Sequence, residues 1–137
     1  MDDLAVFPSQ EWILATKEKF NTDQEYARIA KNWEGDLRLI LEPEGSLKST
    51  LWLYWDLWHG KCRDAYIEEQ TSLRTPALII TAPYGNFVKI LSGEVKVMQA
   101  LMGRMVKVHG NMLLIMRNVP TVIDFVRCCH EITHSWI

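Results

Sequence analysis

At 137 residues, with 48% hydrophobic and 23% charged, the chain has the size and composition of one globular domain. A net charge of -2 without a basic stripe argues against a protein that tracks nucleic-acid phosphates, and offers no polybasic patch to an anionic membrane. The apolar runs stop at four or five residues, as in Met112 to Met116, so integral membrane association is not expected.

Ser9 suits a helix N-cap, and Trp12, Ile13, Thr16 and Phe20 recur at helical spacing behind it. Asn21 or Thr22 would cap a second helix striped by Tyr26, Ile29, Ala30 and Trp33, with Gly35 as its stop. The period then drops to two. Leu37, Leu39 and Leu41 alternate with Asp36, Arg38, Ile40 and Glu42 as in a half-buried strand, and Pro43-Glu44-Gly45-Ser46 turns the chain. Thr50 to Trp58 puts Leu51, Leu53, Trp55 and Leu57 on one face and Trp52, Tyr54, Asp56 and Trp58 on the other. His59-Gly60-Lys61 turns into a strand around Ala65 to Glu69, and Ala77 to Thr81 follows Pro76 as another.

Helical spacing returns at Tyr84 to Leu91 and at Val95 to Met102, where Gly103 ends the helix. Met105 to His109 reads as a fifth strand, Gly110-Asn111 as a turn, and Met112 to Met116 as a helical turn. Pro120 opens a last helix expected to run through Trp136. The expected class is α+β: a five-stranded, mostly antiparallel sheet with helices on one face. Residues 1–33 read as an N-terminal helical extension, and 34–137 as the core of the same domain.

Two stretches are more specific. Phe87-Val88-Lys89-Ile90-Leu91-Ser92-Gly93 is followed by a short helix closing on Met102-Gly103, then Arg104-Met105-Val106-Lys107-Val108-His109 ending at Gly110-Asn111. This order, from about Trp33 to Phe125, resembles the sterol carrier protein 2 family. The usual Asp-Gly and Lys-Gly turn signals are replaced by Glu44-Gly45 and His59-Gly60-Lys61. The resemblance implies an apolar cavity between the sheet and the later helices, for a fatty acyl, sterol or prenyl-like ligand, and no catalytic residues. Gly103 and Gly110 are expected to take positive φ at the exits into strand and helix.

Met98, Met102, Met105, Met112 and Met116 fall within nineteen residues of this segment. Unbranched thioethers adapt to irregular apolar shapes, so these five, with Leu101 and Leu113, are the expected lining; plain core packing is the alternative. His130-Glu131-Ile132-Thr133-His134 matches His-Glu-x-x-His, in which two histidines one turn apart hold zinc and the glutamate activates a water. On a helical wheel the pair lies on the flank of the last helix and Glu131 points away from its apolar face, so ordinary surface residues are expected. Cys129 reads as a core residue and Cys128 as an idle thiol.

Trp52, Tyr54 and Trp58 would stand on the uncovered face of the sheet, where they call for cover by a second copy, the N-terminal helices or a partner. No phosphate loop, nucleophile elbow or converging carboxylate pair occurs, so neither catalysis nor a cofactor is expected. Acidic Asp2 and Asp3 do not suit a signal peptide, and the three cysteines make no disulfide framework; the expected location is the cytoplasm. The reading is non-enzymatic binding, carriage or presentation of a lipid-like molecule, with a partner enzyme plausible. The alternatives are a metal-dependent hydrolase at His130 and His134, and a dimeric scaffold without ligand.

Overall fold

The computed structural model describes residues 4–137. Ser9 caps α1 (Gln10–Thr22), its hydroxyl accepting the Trp12 amide at 3.0 Å, and Trp12, Ile13, Thr16 and Phe20 form the buried face. Asp23, rather than Asn21 or Thr22, caps α2 (Gln24–Ile29) by accepting the Tyr26 amide at 2.8 Å. That helix ends six residues before Gly35, which therefore is not its stop. A Cβ at Gly35 would lie 2.7 Å from the Leu114 side chain and 3.2 Å from that of Ala77. The glycine permits close packing.

Strands β2 (Leu37–Glu42), β3 (Leu51–Trp58) and β4 (Lys61–Glu68) form an antiparallel meander. His59 and Gly60, both at positive φ, make the two-residue turn between the last two, as such hairpins require. β5 (Leu78–Pro83) runs parallel to β2, and β6 (Lys107–Gly110) antiparallel to β5, giving the order β4-β3-β2-β5-β6. The α+β architecture and five-stranded, mostly antiparallel sheet are those the sequence predicts. Helices α3 (Tyr84–Leu91), α4 (Val97–Met102), α5 (Met112–Arg117) and α6 (Val119–Ile132) complete the chain with α1 and α2.

One strand pair escapes the sequence reading. The last helix stops at Ile132, and β7 (Thr133–Trp136) continues as a strand, pairing in parallel with β1 (Ala5–Phe7). Partners so far apart in sequence leave no local signal. The predicted extension also lies within the one core: Phe7, Trp12, Phe20 and Tyr26 pack in the same cluster as Leu39, Trp55, Ile115 and Cys129.

The outer face of the sheet differs from expectation. Arg38 and Glu68 are both buried there in a two-pronged ion pair, 2.7 and 2.8 Å. The Arg38 guanidinium lies 4.1 Å over Trp52, and that of Arg74 lies 4.4 Å over Tyr54. The buried Tyr54 donates its hydroxyl to Asp36 at 2.8 Å, leaving Trp58, 39% exposed, as the most open of the three predicted interface aromatics. Cover comes from the loop carrying Arg74, while α1 packs on the opposite, inner face through Trp12 and Trp55.

The two predicted turn glycines separate. Gly110 has φ +114 and its added Cβ would collide with the Ala77 carbonyl oxygen. Gly103 sits at φ -84, and Arg104 takes the left-handed conformation instead, at φ 60. Thermal melts are expected to show Gly110→Ala costing at least about 2 kcal/mol and Gly103→Ala clearly less. Equal losses would contradict this backbone geometry.

Candidate functional site

The helices do not close tightly over the whole inner face of the sheet. A cavity of about 80 Å³ remains between them. Leu37, Leu39, Leu57, Leu78 and Ile80 form its floor, because the period-two pattern aims these side chains at the helices. Phe87 and Ile90 from α3, Leu101 from α4 and Ile115 from α5 make one wall; Val122, Phe125 and Val126 from α6 make another, and Tyr26 and Trp33 reach in from the N-terminal part. Two of the polar groups among these residues are engaged at the margin: Thr121 donates to the Ile29 carbonyl at 3.2 Å and the Trp33 indole to Gly35 at 2.8 Å.

An open groove of about 550 Å³ adjoins the cavity, sharing Ile90, Leu91, Val97 and Val126 with it. Met98 and Ile123 extend the groove, and Lys96, Arg127 and His130 stand on its border. Of the helices that border both spaces, α4 is the shortest, and in it only Ala100 is fully buried.

Of the seven side chains predicted to line the site, Leu101 faces the cavity and Met98 the groove. Met105 packs half-buried against the core. Met102 is 82% and Met116 65% exposed, and Met112 and Leu113 are also exposed. The reason lies in α5. Its sequence Met-Leu-Leu-Ile-Met is apolar all round, so periodicity cannot select an inward face; packing selects Ile115. The floor residues and Phe87 carried a sequence signal, their alternation and helical spacing, but it marked them only as core.

The two predicted metal candidates do not share a helix face. His130 lies in the last turn of α6, its Nδ1 2.8 Å from the Leu91 carbonyl oxygen, whereas His134 stands in β7. Glu131 is engaged by Lys19 at 2.8 Å and Arg127 at 3.1 Å. Cys128 as well as Cys129 is fully buried. Burial pushes the Cys62 and Cys128 thiols up to about 12 and raises that of Cys129 well above its ordinary value, so all three stay protonated and unreactive near neutrality.

Comparison with known proteins identifies this architecture. The SCP-2 sterol transfer family matches residues 15–122. The chain belongs to that family. A crystal structure of sterol carrier protein 2 superposes with TM-score 0.82 at 24% identity, covering 90% of this chain and 97% of that one. A Thermus thermophilus protein, described as possibly a sterol carrier protein, gives the same score and identity over 97% and 93%. Sterol carrier protein 2 of Yarrowia lipolytica in its apo form scores 0.62 at 14% identity, over 93% and 96%. No curated protein matches by sequence search.

In this SCP-2 family member the charged groups gather away from the cavity floor. Asp23, Asp124 and Cys128 present atoms within 4.8 Å of one another, a spacing that would suit a metal. Arg127 takes the cation's place: its Nη2 donates to Asp23 at 2.8 Å and Asp124 at 3.1 Å, and lies 3.6 Å from Cys128 Sγ. The Arg127 hydrogen bond holds the Asp23 carboxyl well below the carboxylate range, against burial, and the Tyr26 amide and Lys19 assist.

This SCP-2 clasp ties α1 and α2 to α6. A depressed carboxyl stabilises the fold above its unfolded value near ~3.9, and the contribution is lost as pH falls toward the folded value. The melting temperature is therefore expected to drop between about pH 5 and about pH 2. Asp23→Asn, which keeps the cap, should melt lower at neutral pH and show a shallower acid slope. A slope unchanged by that substitution would contradict the role given to Asp23.

Proposed function

We propose that the chain binds a lipid or similar apolar molecule non-covalently in the cavity and its adjoining groove, and carries or presents it. The single observation that supports this reading is the apolar seam itself, bounded on both sides by aliphatic and aromatic side chains. Burying an acyl chain there would yield up to about 0.8 kcal/mol per methylene before ordering costs. Fatty acyl, sterol and prenyl-like ligands share the needed chemistry, and the names of the neighbouring sterol carrier proteins favour that class. The reading includes hand-over to an acceptor, a partner enzyme among them, and work in the cytoplasm. Among the described residues no helix is long and apolar enough to cross a membrane.

The cavity is smaller than the ~150 Å³ that accommodates a benzene. A long chain therefore enters by displacing part of the boundary between cavity and groove, where α4 is the shortest helix. That helix has six residues and no side-chain cap at its start. Its Val97 borders both spaces, so one movement joins them.

The test is titration with a fluorescent fatty acid and a fluorescent sterol. Saturable binding is expected, with Leu101→Glu weakening it at least about ten-fold, since a carboxylate would be stranded in an apolar seam. Met102→Glu, on the exposed side of the same helix, should leave affinity within about two-fold, as a surface substitution. Absence of saturable binding by the wild type would remove the carrier reading. Loss on Met102→Glu alone would return the site to the methionines.

A further inference from the structure

The five-stranded sheet has two edges, and they are finished differently. At β4 the edge is closed at Cys62, whose amide donates to the Asn21 side chain at 2.8 Å and whose carbonyl accepts from it at 2.9 Å. At β6 the edge is open. The Asn111 amide donates to the Ala77 carbonyl at 2.9 Å, which marks those two residues as a hydrogen-bonded pair. Antiparallel pairs alternate, so His109 bonds Ile79 and Lys107 bonds Thr81, whereas Val108 and Gly110 turn their backbone groups away from β5. No strand lies beyond β6, and among the described residues no turn or loop bond reaches Val108. Gly110 is exposed, and in a glycine that exposure is backbone.

The side chains of this edge divide by face. Val108 shares the inner face with Ile80 of the cavity floor and packs half-buried against the core. Lys107 and His109 stand exposed on the outer face, beside uncharged Thr81 and Ile79, with Ile40 and Arg38 of β2 beyond. No acidic residue occurs between Glu94 and Asp124, and Lys107 enters no ion pair among the described residues.

We propose that the open β6 edge takes up an extended acidic segment of a partner protein as a sixth strand. Free backbone groups supply the attraction in such an addition, and alternate side chains supply the choice of sequence. The segment that fits alternates acidic residues, beside Lys107 and His109, with apolar ones beside Val108. Charge decides between this occupant and a second copy. Two β6 strands would crowd their own Lys107 and His109 side chains together, and a lysine on an edge strand opposes such self-pairing. An acidic strand turns that repulsion into attraction. The edge also adjoins the cavity, since Val106, just before β6, and Ile80 both line it. The inference stands beside the proposed ligand binding and does not require it, because strand addition is measured with a peptide and the protein alone.

The experiment titrates the protein with a synthetic peptide, Thr-Glu-Val-Glu-Val-Glu-Thr, blocked at both ends, and follows amide exchange by NMR. Saturable binding is expected, with the Val108 and Gly110 amides slowed in exchange. A peptide with lysine for every glutamate should bind at least about ten-fold more weakly, because like charges then face each other. N-methylation of the peptide's valines should weaken binding at least about ten-fold too, since it removes the donors opposite Val108 and keeps the side chains. Lys107→Glu in the protein should reverse the order of the acidic and basic peptides. The peptide comparisons use the wild type and do not depend on any variant folding. Absence of saturable binding, equal binding of the lysine peptide, or protection elsewhere with Val108 and Gly110 unchanged would overturn the proposal. So would self-association of the free protein that protects these two amides, which would give the edge to a second copy. A protein that binds the peptide yet takes up no fatty acid or sterol would sink the carrier reading alone.

Discussion

The packing around Trp55 is the constraint on which the rest of the molecule depends. This indole is fully buried on β3, with Trp12 of α1 edge-on at 6.0 Å and Phe125 of α6 edge-on at 5.3 Å. Its N–H donates to the Thr16 hydroxyl at 2.8 Å, and that hydroxyl donates to the Ile13 carbonyl at 2.6 Å. Aromatic groups of this size bury more area than any other side chain, and a satisfied polar atom among them fixes orientation as well. Small Ala65, paired across from Trp55, gives the indole room on β4. Helices α1 and α6 are thereby held over the β3–β4 side of the sheet.

That anchoring makes the molecule asymmetric. The same α1 and α6 are joined a second time by the ion pairs of Lys19, Asp23, Arg127 and Glu131. Over β2 and β5 the cover, besides α6, is α3 and two helices of six residues, each burying one side chain fully. Those helices hold their place largely by apolar contact, which is non-directional and can be exchanged for contact with a ligand at small cost. The firm half explains why the chain keeps one fold. The yielding half is where a cavity and a groove meet.

Most of the architecture was legible in the sequence because its signals are local. Leu37, Leu39 and Leu41 announce a strand by alternation, Ser9 announces a helix start by its hydroxyl, and His59-Gly60 announces a tight turn. The segment from Phe87 to Asn111 carried the family resemblance in the same way. The failures are non-local. The pairing of β1 with β7 joins the two ends of the chain, and the sequence after Ile132 looks helical until that partner is known. The site was read less well than the fold, since which methionines face inward depends on how α4 and α5 sit on the sheet. Tyr54 shows the same limit: its cover is Arg74, twenty residues away, in a loop without periodicity.

The central claim is that an apolar ligand occupies the seam between the sheet floor and the α4 wall. The most direct measurement is isotope-filtered NMR of the methyl-labelled protein with an unlabelled long-chain fatty acid. The account predicts contacts from the acyl methylenes to the methyls of Leu39, Ile80, Leu101 and Val126, which border the cavity from opposite sides. Contacts confined to the exposed methyls of Met112 and Met116, with those four silent, would contradict it.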